Sequence, residues 1–331
     1  MEELITAGIL GTGHYAPEKI LTNAELEQMV DTSDEWIRTR TGIETRHIAA
    51  DNENTSDMAV KAAKKAMEMA GTKAEDIDYI FVATTSPDYT MPATACLVQQ
   101  KLGCTHAGAS DIYTACSGFI YSTVLATQMV RAGLYKRVLV IGAETLSRII
   151  NWSDRNTCIL FGDGAGAAVI GPVEKGLGYL ASDLGADGAM GSALNLPASG
   201  VAEPVTHRAI DTGRIYVHME GSEIFKAAVR HMDATTLASM EKAGITKEDI
   251  DLFIPHQANY RIIHSAAHKL GLPPEKVAVN VNHYGNTSSA SIAIALDEAV
   301  RSGRLTKGQV VVMTAFGGGL TWGSMIFRWA L

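Results

Sequence analysis

Met67-Glu-Met-Ala-Gly-Thr-Lys-Ala-Glu-Asp-Ile-Asp78 and Met240-Glu-Lys-Ala-Gly-Ile-Thr-Lys-Glu-Asp-Ile-Asp251 agree at eight of twelve aligned positions. Each reads as a helix end, a turn and the entry to an apolar strand, Tyr79-Ile-Phe-Val82 in one copy and Leu252-Phe-Ile-Pro255 in the other. A second pair, Val130-Arg-Ala-Gly133 and Val300-Arg-Ser-Gly303, precedes strands predicted at Val138–Ile141 and Val310–Met313. Helical patterns such as Ser56–Ala70 alternate with these short Val/Ile runs, which predicts an α/β fold. The chain therefore reads as one α/β unit written twice, with halves at residues 1–172 and 173–331.

Between the repeated stretches lies Asp111-Ile-Tyr-Thr-Ala-Cys116-Ser-Gly-Phe119, a short strand running into a cysteine with a helix predicted immediately after it. Unpaired N–H groups and the positive end of the dipole at a helix N-terminus favour a thiolate, so Cys116 is a candidate nucleophile. Counting back without gaps from Gly133 and Gly303 sets Asn286 opposite Cys116, and both read as helix starts. Equivalent helix starts near the pseudo-twofold axis of a duplicated fold approach one another. His256, in Ile254-Pro-His-Gln-Ala-Asn259, falls just beyond the end of its strand, the edge at which open α/β sheets place ligands. A Cys/His/Asn set suits acyl transfer: the thiolate attacks a thioester, and His and Asn donate to an oxygen that gains charge. The run Phe316-Gly-Gly-Gly-Leu320 supplies backbone N–H groups for the same purpose.

Other features exclude rival readings. A net charge of −8 and the lack of a long basic run argue against a general nucleic-acid binder. No apolar run approaches the ~20 residues of a membrane span. Cys96, Cys104, Cys116 and Cys158 show neither CxxC spacing nor a disulfide framework. With an acidic N-terminus, Met1-Glu-Glu-Leu-Ile5, this predicts a cytoplasmic protein with free thiols. Ala7-Gly-Ile-Leu-Gly-Thr-Gly13 has the spacing of a dinucleotide loop, but Pro17 follows where the helix would grow, so it reads as a glycine-rich turn. Gly162-Asp-Gly-Ala-Gly166 precedes a strand and is discounted likewise. His264 and His268 share helical spacing, but Ser265 stands where a zincin has glutamate, so they read as solvent-facing and no metal is expected. No G-x-S-x-G elbow marks a hydrolase.

The motifs together resemble the β-ketoacyl-acyl carrier protein synthase III family, the initiating condensing enzymes of type II fatty acid synthesis within the thiolase superfamily. Those that carry the resemblance are Thr32-Ser-Asp-Glu-Trp36, Arg38-Thr-Arg40-Thr-Gly42-Ile43, Ala115-Cys116-Ser-Gly-Phe119, Phe161-Gly-Asp-Gly-Ala-Gly166, Pro255-His256-Gln-Ala-Asn259, Gly285-Asn286-Thr287 and Phe316-Gly-Gly-Gly319. The resemblance implies a thiolase-like duplicated αβαβα layered fold. It implies a ping-pong reaction in which an acyl group passes from coenzyme A to Cys116 and then condenses with malonyl carrier protein as carbon dioxide leaves. His256 and Asn286 would hold the malonyl thioester oxygen, and the N–H groups of Cys116 and Gly318 would form the acyl oxyanion hole. Trp36 and Arg155 would flank the adenine of coenzyme A, with Thr32, Arg40 and Asn259 along its phosphates and pantetheine. Lys226, Arg261 and Lys269 would dock the acidic carrier protein. Met91, in a loop at the dimer contact, would close the partner's acyl pocket and select short primers in a homodimer. No cofactor is implied beyond these substrates. Ser117 departs from the alanine frequent at its position. The alternative is a Cys-His-Asn acyltransferase or condensing enzyme of secondary metabolism, whereas a non-catalytic binding module would be expected to lose one of the three residues.

Overall fold

The computed structural model describes residues 4–331, so the acidic opening Met1-Glu-Glu3 lies outside the described residues. The first half supplies strands β1 (Ala7–Tyr15), β2 (Tyr79–Ala83), β3 (Gly108–Ile112), β4 (Val138–Glu144) and β5 (Gly164–Pro172). Its longer helices are α1 (Asp34–Thr41), α2 (Thr55–Met69), α3 (Thr94–Leu102) and α4 (Gly118–Arg131). The second half supplies β6 (Gly178–Ala186), β7 (Leu252–Pro255), β8 (Val310–Gly317) and β9 (Thr321–Arg328), with helices α5 (Gly221–Ala243), α6 (Tyr260–Leu270) and α7 (Ser291–Arg301).

The two main sheets have one topology. The first runs β1-β5-β4-β2-β3 and the second β6-β9-β8-β7. In both, the first two pairings are antiparallel and the next is parallel. The counterpart of β3 is reduced to an isolated parallel bridge, Phe253 to Val277. The repeated sequence does the same work twice. Asp76 accepts from Lys73 N and Asp249 from Thr246 N, closing matching turns, while Ile77 and Ile250 are buried. Asp78 then accepts from Arg137 N, as Asp251 accepts from Val310 N, pinning each parallel strand to its neighbour.

Five layers follow from which faces are apolar. Helix α2 covers one face of the first sheet and α5 one face of the second, while α4 and α7 lie between the sheets. Strand β4, Val-Leu-Val-Ile-Gly-Ala-Glu, is buried throughout, as a strand covered on both faces must be. The glycine-rich turn expected at residues 7–13 is instead part of β1. Gly11 and Gly13 belong to the strand because α2 lies against it: a Cβ at Gly11 would sit 2.5 Å from Ala66 O. His264 and His268 are exposed on α6, as read from the sequence. Among the described residues no helix is long and apolar enough to cross a membrane, and Cys96, Cys104, Cys116 and Cys158 are free.

Candidate active site

Cys116 lies in a single 3₁₀ turn, Ala115–Ser117, that leads directly into α4. Upstream, Asp111 at the end of β3 accepts from Thr94 N and Ala95 N, satisfying the first turn of α3 and tying the cysteine strand to that helix. Ser117 is fully buried, with its Oγ 2.7 Å from Thr114 O and 2.8 Å from Thr321 Oγ1, and Thr321 Oγ1 is 3.2 Å from Gly318 O. The residue that departs from alanine thus links the cysteine turn to the glycine run. A Cβ at Gly317 would lie 2.6 Å from Cys116 N, so only glycine lets the two backbones meet there.

His256 follows β7, and its backbone N–H donates to Thr314 O at 2.7 Å. Asn286 bridges to Phe161, donating from its backbone N to Leu160 O at 2.8 Å and accepting from Gly162 N at 3.0 Å. Its side-chain Oδ1 accepts from Ser288 N at 2.8 Å, which leaves the Nδ2 donors for another partner. Cys116, His256, Asn286 and Gly318 line a single cavity of about 900 Å³, together with Arg40 and Asn259. Lys226 and Arg261 line it too, Lys226 paired with Glu223 at 2.9 Å and Arg261 over the Phe225 ring at 5.4 Å.

The remaining predicted residues stand elsewhere. Trp36 does not line the cavity; its ring carries the Arg155 guanidinium at 4.8 Å and that of Arg40 at 5.6 Å. The Arg155 guanidinium lies directly over the Trp36 ring and donates to Asp31 O at 2.8 Å. Thr32 Oγ1 is buried without a hydrogen-bond partner. Asn259 caps α6 by accepting from Ile262 N. Lys269 is outside the cavity and pairs with Asp233 at 3.1 Å. Met91 is 87% exposed in the single chain.

Two expectations are corrected. Cys116 and Asn286 are not equivalent helix starts: Asn286 precedes a second 3₁₀ turn, Ser288–Ala290, and α7 begins only at Ser291. Helix α4 has 14 residues against 11 in α7, so counting back without gaps slips by one turn. The ionisation of Cys116 is also not what a helix start alone predicts. Burial pushes its thiol up to about 12; a hydrogen bond from Ser288 works against this, and the charge of Glu144 adds to it. His256 is pushed down to about 3 by burial, so its imidazole is neutral. Sequence reasoning missed Glu144, Ser288 and Ser291. A cluster of serines before a helix reads as ordinary capping, and only the fold shows which of them meets Cys116 or His256.

The duplicated five-layer fold is that of the thiolase-type condensing enzymes, and in this chain a buried Cys, His and Asn meet in its cavity. Residues 110–188 match 3-oxoacyl-[acyl-carrier-protein (ACP)] synthase III, and residues 240–329 match the C-terminal part of the same family. A relative from Caldanaerobacter subterraneus subsp. tengcongensis, β-ketoacyl-[acyl-carrier-protein] synthase III, is 57% identical over 330 residues, covering all of both chains. The crystal structure of 3-oxoacyl-[acyl-carrier-protein] synthase III from Aquifex aeolicus is 47% identical with a TM-score of 0.91, covering 98% of this chain and 100% of that one. The priming β-ketosynthase of the R1128 polyketide pathway is 34% identical with a TM-score of 0.91, covering 99% of this chain and 97% of that one. The chain belongs to the β-ketoacyl-[acyl-carrier-protein] synthase III family.

Proposed function

We propose that the chain initiates fatty acid synthesis by a decarboxylating condensation of a short acyl-CoA primer with malonyl-acyl carrier protein, passing the acyl group through Cys116. The observation that carries this reading is the convergence of Cys116, His256 and Asn286 on one cavity from opposite halves of the chain. In the first half-reaction the Cys116 sulfur attacks the thioester carbon. The oxyanion is held by the N–H groups of Cys116 and Gly318, and coenzyme A leaves with the thiol proton. In the second, the malonyl carboxylate leaves as carbon dioxide and its electron pair becomes an enolate. Neutral His256 and the Nδ2 of Asn286 donate to the enolate oxygen, so no strong base or metal is invoked. The carbanion attacks the acyl-cysteine carbon and the Cys116 thiolate departs.

Arg40 and Asn259 would contact coenzyme A in the cavity, and Trp36 and Arg155 would hold its adenine once the guanidinium swings off the indole. Thr32 offers an unused hydroxyl beside them. Lys226 and Arg261, with Lys269 farther out, would receive an acidic carrier protein. Met91 would enter the partner's acyl pocket in a homodimer, and the free thiols suit a cytoplasmic setting. The halves at 1–172 and 173–331 act as one site. The likeness to a polyketide priming enzyme favours a second reading, a primer enzyme of secondary metabolism using the same three residues. Mass spectrometry after incubation with a panel of acyl-CoA thioesters, followed by malonyl carrier protein, tests the reading. Acyl mass on Cys116 that is lost as product forms is expected, and absence of any acyl-enzyme would overturn it.

A further inference from the structure

His256 is buried, and the only side chain hydrogen-bonded to its ring among the described residues is Ser291, whose Oγ lies 2.6 Å from Nδ1. Ser291 is itself buried, is the first residue of α7 and does not line the cavity, whereas His256 does. The ring edge bearing Nδ1 is therefore turned from the cavity toward the helix start. The backbone N–H of Gln257 is aimed at the same Ser291 oxygen from 3.4 Å. That contact is long, but it places a donor on one lone pair of an oxygen that has a single proton to give.

We propose that Ser291 is a positioning residue that fixes the tautomer of His256, holding the ring proton on Nε2. The inference rests on the function proposed above. With Gln257 N–H directed at its oxygen, the Ser291 hydroxyl donates to Nδ1. A neutral imidazole that accepts at Nδ1 must carry its proton on Nε2. That nitrogen then donates to the enolate oxygen as decarboxylation proceeds, beside the Nδ2 of Asn286. The opposite tautomer would set a lone pair against the developing negative charge. It would also bring the Nδ1 and Gln257 N–H groups onto one hydroxyl oxygen, with no other side chain or carbonyl hydrogen-bonded to it among the described residues to receive the serine proton. Nothing in the acyl-transfer half-reaction uses this proton, so the effect is confined to the second half-reaction.

The test uses the full-length enzyme with Ser291→Ala and Ser291→Thr, measuring Cys116 acylation and malonyl decarboxylation separately. Ser291→Ala is expected to slow decarboxylation roughly tenfold to a hundredfold, by analogy with the loss of an orienting partner from a metal-ligating histidine. Acylation should stay within about twofold. Ser291→Thr, which retains the hydroxyl, should recover most of the loss. Selective ¹⁵N-histidine spectra should show Nε2 protonated in the wild type and a tautomer mixture in Ser291→Ala, a readout that needs no threonine variant. Wild-type decarboxylation in Ser291→Ala, equal loss of both half-reactions, or an Nδ1-protonated His256 in the wild type would each overturn the proposal. A wild-type enzyme that does not decarboxylate malonyl carrier protein at all would instead overturn the proposed function.

Discussion

Ser289 stands in the second half of the chain where Cys116 stands in the first. Each follows a residue of positive φ, Ser288 at 47° and Ala115 at 46°, and each is the middle residue of a 3₁₀ turn that opens a central helix. The two turns pack crosswise, the cysteine turn on β8 of the second half and the serine turn on β4 of the first. Their surroundings differ. Cys116 opens to the cavity, whereas the Ser289 hydroxyl is buried 2.8 Å from Ala83 O and 2.9 Å from Glu144 Oε1. Glu144 also accepts from Ser86 N, Thr85 N and the Ser86 hydroxyl, so a buried carboxylate occupies the pseudosymmetric site. One copy of the turn opens its middle residue to the cavity, and the other buries it in polar contacts between the halves.

Ser289→Ala should therefore lower stability by about 1–2 kcal/mol, the cost of removing one donor from a buried acceptor, while Cys116 still takes up acyl groups. Urea denaturation read beside acyl labelling checks this. An unlabelled but fully stable variant would contradict it.

Cys116→Ser should abolish acyl uptake, and Cys96→Ser, Cys104→Ser and Cys158→Ser should retain it. Intact-protein mass spectrometry with an acyl-CoA decides the matter, because stoichiometric acylation without Cys116 would move the nucleophile elsewhere.

His256→Ala and Asn286→Ala should each slow malonyl decarboxylation roughly a hundredfold to a thousandfold, the usual effect of losing one donor to a developing oxyanion. Acylation of Cys116 should survive in both. Equal loss of the two steps would assign these side chains to holding the fold or the cysteine.

The pH behaviour follows from burial. A Cys116 thiol near 12 is protonated through the neutral range, and a His256 imidazole near 3 is uncharged there. Alkylation of Cys116 by iodoacetamide in the free enzyme should keep rising with pH up to pH ~9, because the thiolate fraction is still growing. Decarboxylation should show no His256 inflection between pH ~5 and ~8, since the titration lies below that window. An alkylation plateau by pH ~7 would mean that the helix dipole outweighs desolvation.

Met91→Thr should shift selectivity toward longer acyl-CoA primers, because an adaptable side chain proposed to close the partner's pocket becomes a small one. The ratio of kcat/KM for a long against a short primer, measured where both proteins are dimeric, tests this. An unchanged ratio, or a weakened dimer with unchanged selectivity, would remove Met91 from the pocket.

Some of this was legible in the chain alone. The Glu-Asp-Ile-Asp repeat does the same local work in both halves, so its duplication could be read from contiguous residues, and with it the α/β layering. Cys116 and His256 were likewise visible as candidates, because a strand running into a helix and a strand end leave local signatures, whereas Asn286 was reached through its motif and a count that is off by one turn. What the tertiary structure decided was how segments distant in the chain pack against one another. Gly11 looked like a turn until α2 lay against it, and Asn286 looked equivalent to Cys116 until an extra helical turn displaced the register. The ionisation of Cys116 and the partner of His256 depend on desolvation and on side chains dozens to hundreds of residues away. Such quantities are set by packing, which no local pattern encodes.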